Sequence, residues 1–196
     1  EFIKADEFFT EHPKRYTIGE VELGVNYVLI ISTNAGLWAY NIGDTIQFTS
    51  LKPYRVIVSG RIKHYISAFG EHVIGKEVES ALKEAMEGTD VRVNEFTVAP
   101  QITPTEGLPY HEWFIEFENQ PENLEKFALK IDTAMRKQNV YYDDLIVGNV
   151  LRTLVITSVP KNGFQEYMKS IGKLGGQNKL PRLSNDRKIA QFFENK

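Results

Sequence analysis

A change of hydrophobic period between residues 60 and 70 divides this chain. From Asn26 to Ser67 the sequence is rich in β-branched and aromatic residues, which predicts a series of short strands. Turn-forming residues interrupt the series at Asn34, Gly36, Gly43, Pro53 and Gly60. After Gly70 the period becomes helical, with one apolar stripe: Ile74, Val78, Ala81, Leu82 and Ala85. We therefore predict a β-rich piece over residues 1–60 and a second domain over residues 61–196.

The second domain mixes strands with helices. Val91–Val98 and Glu112–Phe117 alternate around a link rich in Gly and Pro, which predicts a hairpin. Pro121 is suited to the first position of a helix, whose apolar stripe is Leu124, Phe127, Ala128, Ile131 and Met135. The remaining predictions are a strand, a short helix and a terminal helix capped by Ser184 or Asn185: Leu151–Val159, Phe164–Ile171 and Asn185–Phe193. The fold class is α+β, a β-rich N-terminal piece followed by a small mixed-sheet domain covered by helices.

Charge and composition exclude several classes of partner. The net charge of -3 argues against general binding of nucleic acid or anionic membranes. From Lys161 onward, however, the chain has eight Lys or Arg residues and only three acidic residues. There is no cysteine, which suits a reducing cytoplasm, and no apolar run of membrane-spanning length. We expect a cytoplasmic protein that has a basic C-terminal segment and binds neither nucleic acid nor membrane.

Two segments contain residues suited to binding a nucleotide. In Tyr40–Asp44 (YNIGD), the carboxylate of Asp44 follows a glycine and can accept hydrogen bonds from both hydroxyls of a ribose. The plainer interpretation is a simple turn aspartate. In Gly172–Arg187 (GKLGGQNKLPRLSNDR), either Lys173 or Lys179 can bring a cation to a phosphate. The plainer interpretation here is a solvated charge near a helix end.

Other polar residues are assigned structural roles. The four histidines His12, His64, His72 and His111 lack the spacing of a metal site, and we predict no metal bound by the chain. Trp38, Tyr40 and Trp113 are expected to be core or rim aromatics on strands. Tyr141–Asp144 is interpreted as a solvated helix end.

Three motifs in order resemble one family of enzymes. Ala35–Phe48 (AGLWAYNIGDTIQF), Gly60–His72 (GRIKHYISAFGEH) and Gly175–Leu183 (GGQNKLPRL) are similar to segments of the auxin-responsive Gretchen Hagen family of acyl-acid amido synthetases, in its bacterial branch. That family belongs to the adenylate-forming enzymes. Plant members have arginines on both sides of the tyrosine, where this chain has Ala39 and Asn41.

The resemblance implies a role for individual residues. Asp44 would hold the ribose of ATP, with Tyr40 also at the nucleotide. Arg61 and Lys63 would form a hinge between the two domains, with Arg61 near the nucleotide. Lys179 would be the catalytic lysine of adenylation, and Lys173 is its rival, because other adenylate-forming enzymes place this lysine in a Gly-Lys pair.

The implied function is that of a C-terminal fragment. The parent would use ATP with Mg²⁺ to activate a carboxylic acid as its acyl adenylate, and would then couple it to an amine, expected to be an amino acid. The family's phosphate loop and acyl pocket would lie upstream of residue 1, and the chain opens at Glu1 without a methionine. We therefore expect the chain alone to be inactive and its partner to be the missing N-terminal domain.

A second hypothesis comes from a different class. The chain could be a stand-alone, non-catalytic α+β binding module whose basic C-terminal segment docks a phosphorylated or acidic partner. The lack of a phosphate-binding glycine loop before any predicted helix favours this alternative.

Overall fold

The computed structural model describes residues 1–62, 65–175 and 178–194. It divides into two compact units. The first takes in residues 1–65 and 74–76, and the second takes in residues 66–73 and those from 77 onward.

The first unit is built on a four-stranded antiparallel sheet. Its strands, in spatial as well as chain order, are β1 (Phe2–Lys4), β2 (Asn26–Ile31), β3 (Tyr40–Leu51) and β4 (Tyr54–Arg61). A short 3-10 helix, Ile18–Glu20, precedes β2. Tyr27, Ile46 and Phe48 fill the core of this unit. The predicted series of strands is confirmed, and its β-branched and aromatic content explains it.

Two of the predicted turns lie inside strands. Gly43 is within β3 and Gly60 is within β4, where it pairs with Thr45. Gly43 has a φ of +85°, a conformation that glycine adopts without steric cost. The pairing of β2 with β3 shifts register between Val28 and Ile30, opposite this glycine. The glycine therefore makes a bulge in a long strand, not a turn between two strands.

The second unit has a three-stranded mixed sheet. Strands β7 (Arg92–Gln101) and β8 (Tyr110–Asn119) form the predicted antiparallel hairpin, and β9 (Val155–Val159) pairs with β8 in parallel. The predicted strand from Leu151 begins only at Val155. Upstream, β5 (Tyr65–Ile66) and β6 (Val73–Ile74) form a separate two-stranded sheet.

Helices cover both faces of the mixed sheet. They are α1 (Gly75–Met86), α2 (Leu124–Gln138), α3 (Val140–Val147), α4 (Gly163–Ser170) and α5 (Lys188–Glu194). Successive residues of β8 point to opposite faces, as a strand requires. Trp113 and Ile115 pack with α1 and α2, whereas Phe114 packs with α4 and α5. The predicted α+β class with a mixed sheet is confirmed.

The start of α2 differs from the prediction. The helix begins at Leu124, because the side chain of Asn123 accepts a hydrogen bond from the backbone N–H of Lys126 at 2.8 Å. An asparagine N-cap satisfies a free amide of the first turn, which proline cannot do. Pro121 is therefore outside the helix. Similarly, Ile74 belongs to β6, and α1 buries only the rest of its predicted stripe.

Gly163, the first residue of α4, leaves no room for a side chain. A Cβ at this position would lie 2.5 Å from Cγ1 of the buried Val159 and 3.2 Å from Cε1 of Phe193. We expect Gly163→Ala to destabilise the chain by about 1–3 kcal/mol through overpacking, which lowers Tm by roughly 2–12 °C. Thermal unfolding followed by circular dichroism measures this. Gly75→Ala is the matched control, because Gly75 also opens a helix and has no atom within 4 Å of an added Cβ. Equal Tm values for the two variants would contradict the packing argument.

Candidate functional site

Asp44 and Arg61 are brought together by the register of the first sheet. They are paired residues on β3 and β4, and Nε of Arg61 lies 3.3 Å from Oδ1 of Asp44. The side chain of Arg61 is 68% exposed and that of Asp44 is 31% exposed. Such an exposed pair contributes little to stability. It presents an acceptor and a cation side by side to a solvent-borne ligand.

The bulge before Asp44 has its own hydrogen bonds. The N–H of Gly43 donates to Oδ1 of Asn41 at 2.8 Å, and the carbonyl of Gly43 accepts from the N–H of Ile62 at 2.9 Å. Both bonds are made by Gly43, the residue before Asp44, and they tie its backbone to Asn41 of the same strand and to Ile62, the residue after Arg61. The sequence Tyr-x-x-Gly-Asp therefore forms a defined bulge that orients Asp44.

Aromatic side chains lie exposed at the start of β3. Trp38 is 87% exposed and Tyr40 is 53% exposed. Ala39, between them, has a φ of +46°, and its N–H donates to Oγ of Ser32 at 3.0 Å. The prediction of core or rim aromatics is correct for Trp113, which is buried, and wrong for Trp38, which projects from the loop before the strand. Tyr40 is accessible to a ligand.

Lys179 belongs to the second unit and lies just before Leu180, outside any helix or strand, with its side chain exposed. Following it, Leu183 is fully buried and forms a parallel bridge with Val98 of β7. The stretch Leu180–Ser184 is thus bound to the sheet, and we call it the docked segment. Gly176 and Gln177 of the same motif are outside the described residues, as is Lys63 of the predicted hinge.

Lys173, the rival lysine, has a different setting. Its backbone N–H donates to the carbonyl of Met168 at 2.8 Å, and Gly172 before it has a φ of +68°. A glycine with positive φ followed by such a bond is a common way for a helix to end. Lys173 therefore sits just beyond the C-terminus of α4, where a cation complements the helix dipole.

Sequence comparisons cover both units. The profile of the GH3 family C-terminal domain matches residues 76–188, more than half of the chain. The chain belongs to the GH3 family. The profile of the GH3 family central domain matches residues 1–61.

Among curated relatives of this GH3 chain, indole-3-acetic acid-amido synthetase GH3.3 of Arabidopsis thaliana is 26% identical over 213 aligned positions, covering 100% of this chain and 35% of the relative. Indole-3-acetic acid-amido synthetase GH3.10 of the same plant is also 26% identical, covering 88% of the chain and 30% of the relative. The chain thus spans about a third of the length of the relatives it matches.

Solved structures show the same fold. The GH3.15 acyl acid amido synthetase superposes with a TM-score of 0.70 at 18% identity, covering 100% of this chain and 36% of that protein. A 2-hydroxyisobutyryl-CoA ligase in the postadenylation state superposes with a TM-score of 0.51 at 15% identity, covering 89% and 35%. The GH3 chain therefore has the same fold as the matching parts of these two enzymes.

A buried pair in the second unit was not predicted from the sequence of the GH3 chain. Nε2 of His111 lies 2.8 Å from Oε1 of Glu71, and both side chains are almost fully buried. Oε2 of Glu71 accepts from the N–H of Phe69 at 2.8 Å, and its carbonyl accepts from Nδ2 of Asn139 at 2.9 Å. Burial by itself raises the pKa of Glu71, but the hydrogen bond and charge of His111, together with backbone hydrogen bonds from Glu71 and Phe69, outweigh burial, so the pKa of this carboxyl is lowered. His111 is structural, as expected.

The interpretation of Tyr141–Asp144 as a solvated helix end is wrong for Tyr142. Asn139 is both the C-cap of α2 and the N-cap of α3. This arrangement places the side chain of Tyr142 in the core. There its hydroxyl donates to Oδ1 of Asp132 at 2.6 Å. Burial, followed by the negative charge of Asp132, raises the pKa of Tyr142 well above its ordinary value. Tyr141 is exposed, as predicted.

Two searches of the described ranges complete the description. No group of three or more His, Asp or Glu side chains converges there in a way that could hold a metal ion. No helix in the same ranges is both long enough and apolar enough to cross a bilayer.

Proposed function

We propose that this GH3 chain is the C-terminal part of an ATP-dependent acyl-acid amido synthetase of the bacterial branch. Residues 1–60 would complete the β-rich edge of its N-terminal domain, and residues 61–196 would form a mobile C-terminal domain. The observation that carries the proposal is the exposed side chain of Lys179, which directly precedes the docked segment, whose backbone is bound to the sheet. The departure from the plant pattern at Ala39 and Asn41 supports the bacterial branch.

The first half-reaction forms an acyl adenylate. A carboxylate oxygen attacks the α-phosphorus of ATP, and the bond from that phosphorus to the pyrophosphate oxygen breaks. Lys179 would neutralise the charge that builds on the phosphoryl oxygens in the transition state. Mg²⁺ would accompany the ATP phosphates and offset their charge. No described residue is assigned to hold it, because no acidic cluster converges in the described ranges.

The nucleotide would be held by the first unit. Asp44 would accept hydrogen bonds from the ribose hydroxyls, with Arg61 beside it and Tyr40 exposed at the start of the same strand. A carboxylate that accepts from hydroxyls makes a charge-assisted hydrogen bond, which is roughly twice as strong as a neutral one. The side chains of Asp44 and Arg61 are both open to solvent, so the carboxylate is accessible to a ribose.

The second half-reaction forms the amide. The amine attacks the acyl carbonyl of the adenylate, the bond from that carbon to the phosphate oxygen breaks, and AMP leaves while the ammonium gives up a proton. We propose an amino acid as the amine, in line with the amido synthetases among the relatives. The C-terminal domain would move between the two half-reactions at Arg61 and Lys63.

The test is carboxylic-acid-dependent ATP–pyrophosphate exchange by a full-length protein that contains this chain. We expect exchange in the full-length protein and none in the 196-residue chain. Asp44→Asn is expected to raise KM for ATP about 10- to 150-fold, because it removes a charged hydrogen-bond acceptor worth roughly 1.5–3 kcal/mol. It should leave Tm nearly unchanged, because the pair with Arg61 is exposed.

A negative result would be informative. If no acid in a broad panel supports exchange by the unmutated full-length protein, the binding-module hypothesis gains. If exchange occurs and Asp44→Asn leaves KM for ATP unchanged, the ribose role of Asp44 is wrong while adenylation stands.

A further inference from the structure

The docked segment is held to β7 by its backbone. The N–H of Val98 donates to the carbonyl of Arg182 at 2.9 Å, and the N–H of Ser184 donates to the carbonyl of Val98 at 3.0 Å. Oγ1 of Thr97 donates to the carbonyl of Pro181 at 2.7 Å. The backbone from Pro181 to Ser184 is therefore fixed to the sheet at three points.

The side chain of Arg182 adds contacts of a different kind. Its guanidinium binds Glu95 of β7, lies 3.1 Å from Oε1 of Glu79 on α1, and donates to the carbonyl of Phe96 at 3.2 Å. It also stacks over the ring of Phe96, with 4.7 Å from Cζ to the ring centroid. A planar guanidinium with several fixed donors is suited to such multiple contacts. Arg182 thereby fixes the docked segment against a strand and a helix together.

Lys179 lies only two residues before the fixed carbonyl of Pro181. The proline ring holds φ of Pro181 near −65°, and the residue before a proline is restricted to extended conformations. That residue, Leu180, is also packed against the apolar cluster of α4 and α5. Little backbone freedom remains between Lys179 and the fixed point. The position of Lys179 is therefore set by whatever holds Pro181 and Arg182.

We propose that Arg182 is the positioning residue for Lys179. This inference rests on the proposed function, in which Lys179 acts on the α-phosphate during adenylation. Arg182 contacts the protein's own carboxylates and carbonyl, and it acts through Lys179 by keeping the docked segment in one orientation. Small displacements of a catalytic group have large kinetic effects, with about 1 Å costing up to roughly 100-fold.

The first arm of the test measures ATP–pyrophosphate exchange in the full-length protein. Arg182→Ala is expected to lower kcat about 10- to 100-fold with little change in KM for ATP. Arg182→Lys should recover part of the loss, since a lysine reaches one carboxylate but not all three acceptors. Arg152→Ala is the matched control. Arg152 also stacks on an aromatic ring, that of Tyr110 at 4.2 Å, and donates to a backbone carbonyl, that of Leu108. It should leave kcat unchanged.

The second arm of the test asks whether Arg182 acts through Lys179 or independently of it. If Arg182 acts through Lys179, the double variant Lys179→Ala/Arg182→Ala is no slower than Lys179→Ala alone, because there is no lysine left to position. Losses that multiply in the double variant would overturn the proposal. So would an unchanged kcat in Arg182→Ala.

The third arm does not depend on activity. Backbone ¹⁵N relaxation of the 196-residue chain should show a lower order parameter at Lys179 in Arg182→Ala and no change in Arg152→Ala. An unchanged order parameter at Lys179 would overturn the positioning role whether or not exchange is found. Absence of exchange in the unmutated full-length protein would instead refute the proposed function, so the two failures are distinguishable.

Discussion

Replacing Lys179 by alanine in the full-length protein should lower kcat of acid-dependent ATP–pyrophosphate exchange about 100- to 1,000-fold. That factor corresponds to about 3–4 kcal/mol of transition-state stabilisation, the usual effect of removing one preorganised electrostatic partner. The lysine's exposed side chain has no carboxylate partner among the described residues, so its charge is available to a phosphate. Its truncation should leave Tm unchanged, because an exposed lysine contributes little packing.

Lys173→Ala is the informative comparison. Both lysines are exposed and only six positions apart in the same motif. Lys173, however, lies just beyond the C-terminus of α4, where its positive charge interacts favourably with the helix dipole and needs no catalytic role to explain it. We expect Lys173→Ala to keep kcat within about 3-fold of the unmutated value, since only a surface charge is lost. A collapse of exchange in Lys173→Ala with normal activity in Lys179→Ala would transfer the catalytic role to Lys173.

The fold was predictable where local pattern determines structure. The β-rich region, the hairpin of β7 and β8 and the stripe of α2 follow from period and composition. Predictions failed where one residue type has two uses. Gly43 signals a turn in sequence, yet a positive φ also serves a bulge inside a strand. Pro121 signals a helix start, yet the carboxamide of Asn123 is a better cap.

The candidate site was predictable as residues but not as geometry. Motif order predicts roles for Asp44, Arg61 and Lys179 one by one. The pairing of Asp44 with Arg61 depends on the register of β3 and β4, which includes two irregularities between these residues and the β3–β4 turn. The docking of Leu183 on Val98 joins residues 85 positions apart, and no local pattern in sequence encodes such a contact.

The buried pair of Glu71 and His111 shows the same limit and leads to the largest expected effect on stability. The two residues are 40 positions apart, and a single sequence contains no signal that links them. Removing one partner of a buried pair leaves the other desolvated and uncompensated, which costs about 3–5 kcal/mol. We therefore expect His111→Leu to destabilise the chain by that amount at pH 7. Urea unfolding followed by fluorescence measures it, with His12→Leu, at an exposed site, as the control.

The pH dependence of this loss of stability distinguishes the cost of burying an ionised Glu71 from a general loss of packing. In the unmutated chain the pKa of Glu71 is lowered, so its contribution to stability is present above its unfolded pKa, about 4.5, and is lost as pH falls through the folded value. In His111→Leu the hydrogen bond and charge of His111 are lost, and burial, the largest single influence on Glu71, raises the folded pKa of this carboxyl against the remaining backbone hydrogen bonds. The variant is therefore expected to keep its stability at low pH and to lose it as pH rises. The difference between the two proteins should therefore begin to grow below pH 4.5, where folded Glu71 ionises in the unmutated chain, and should continue to grow above pH 4.5, where burial penalises the ionised carboxylate of the variant. A stability difference that is constant with pH would mean that the variant loses packing alone. The double variant Glu71→Leu/His111→Leu provides a further check. If it is more stable than His111→Leu, the uncompensated carboxylate is the cause of the loss.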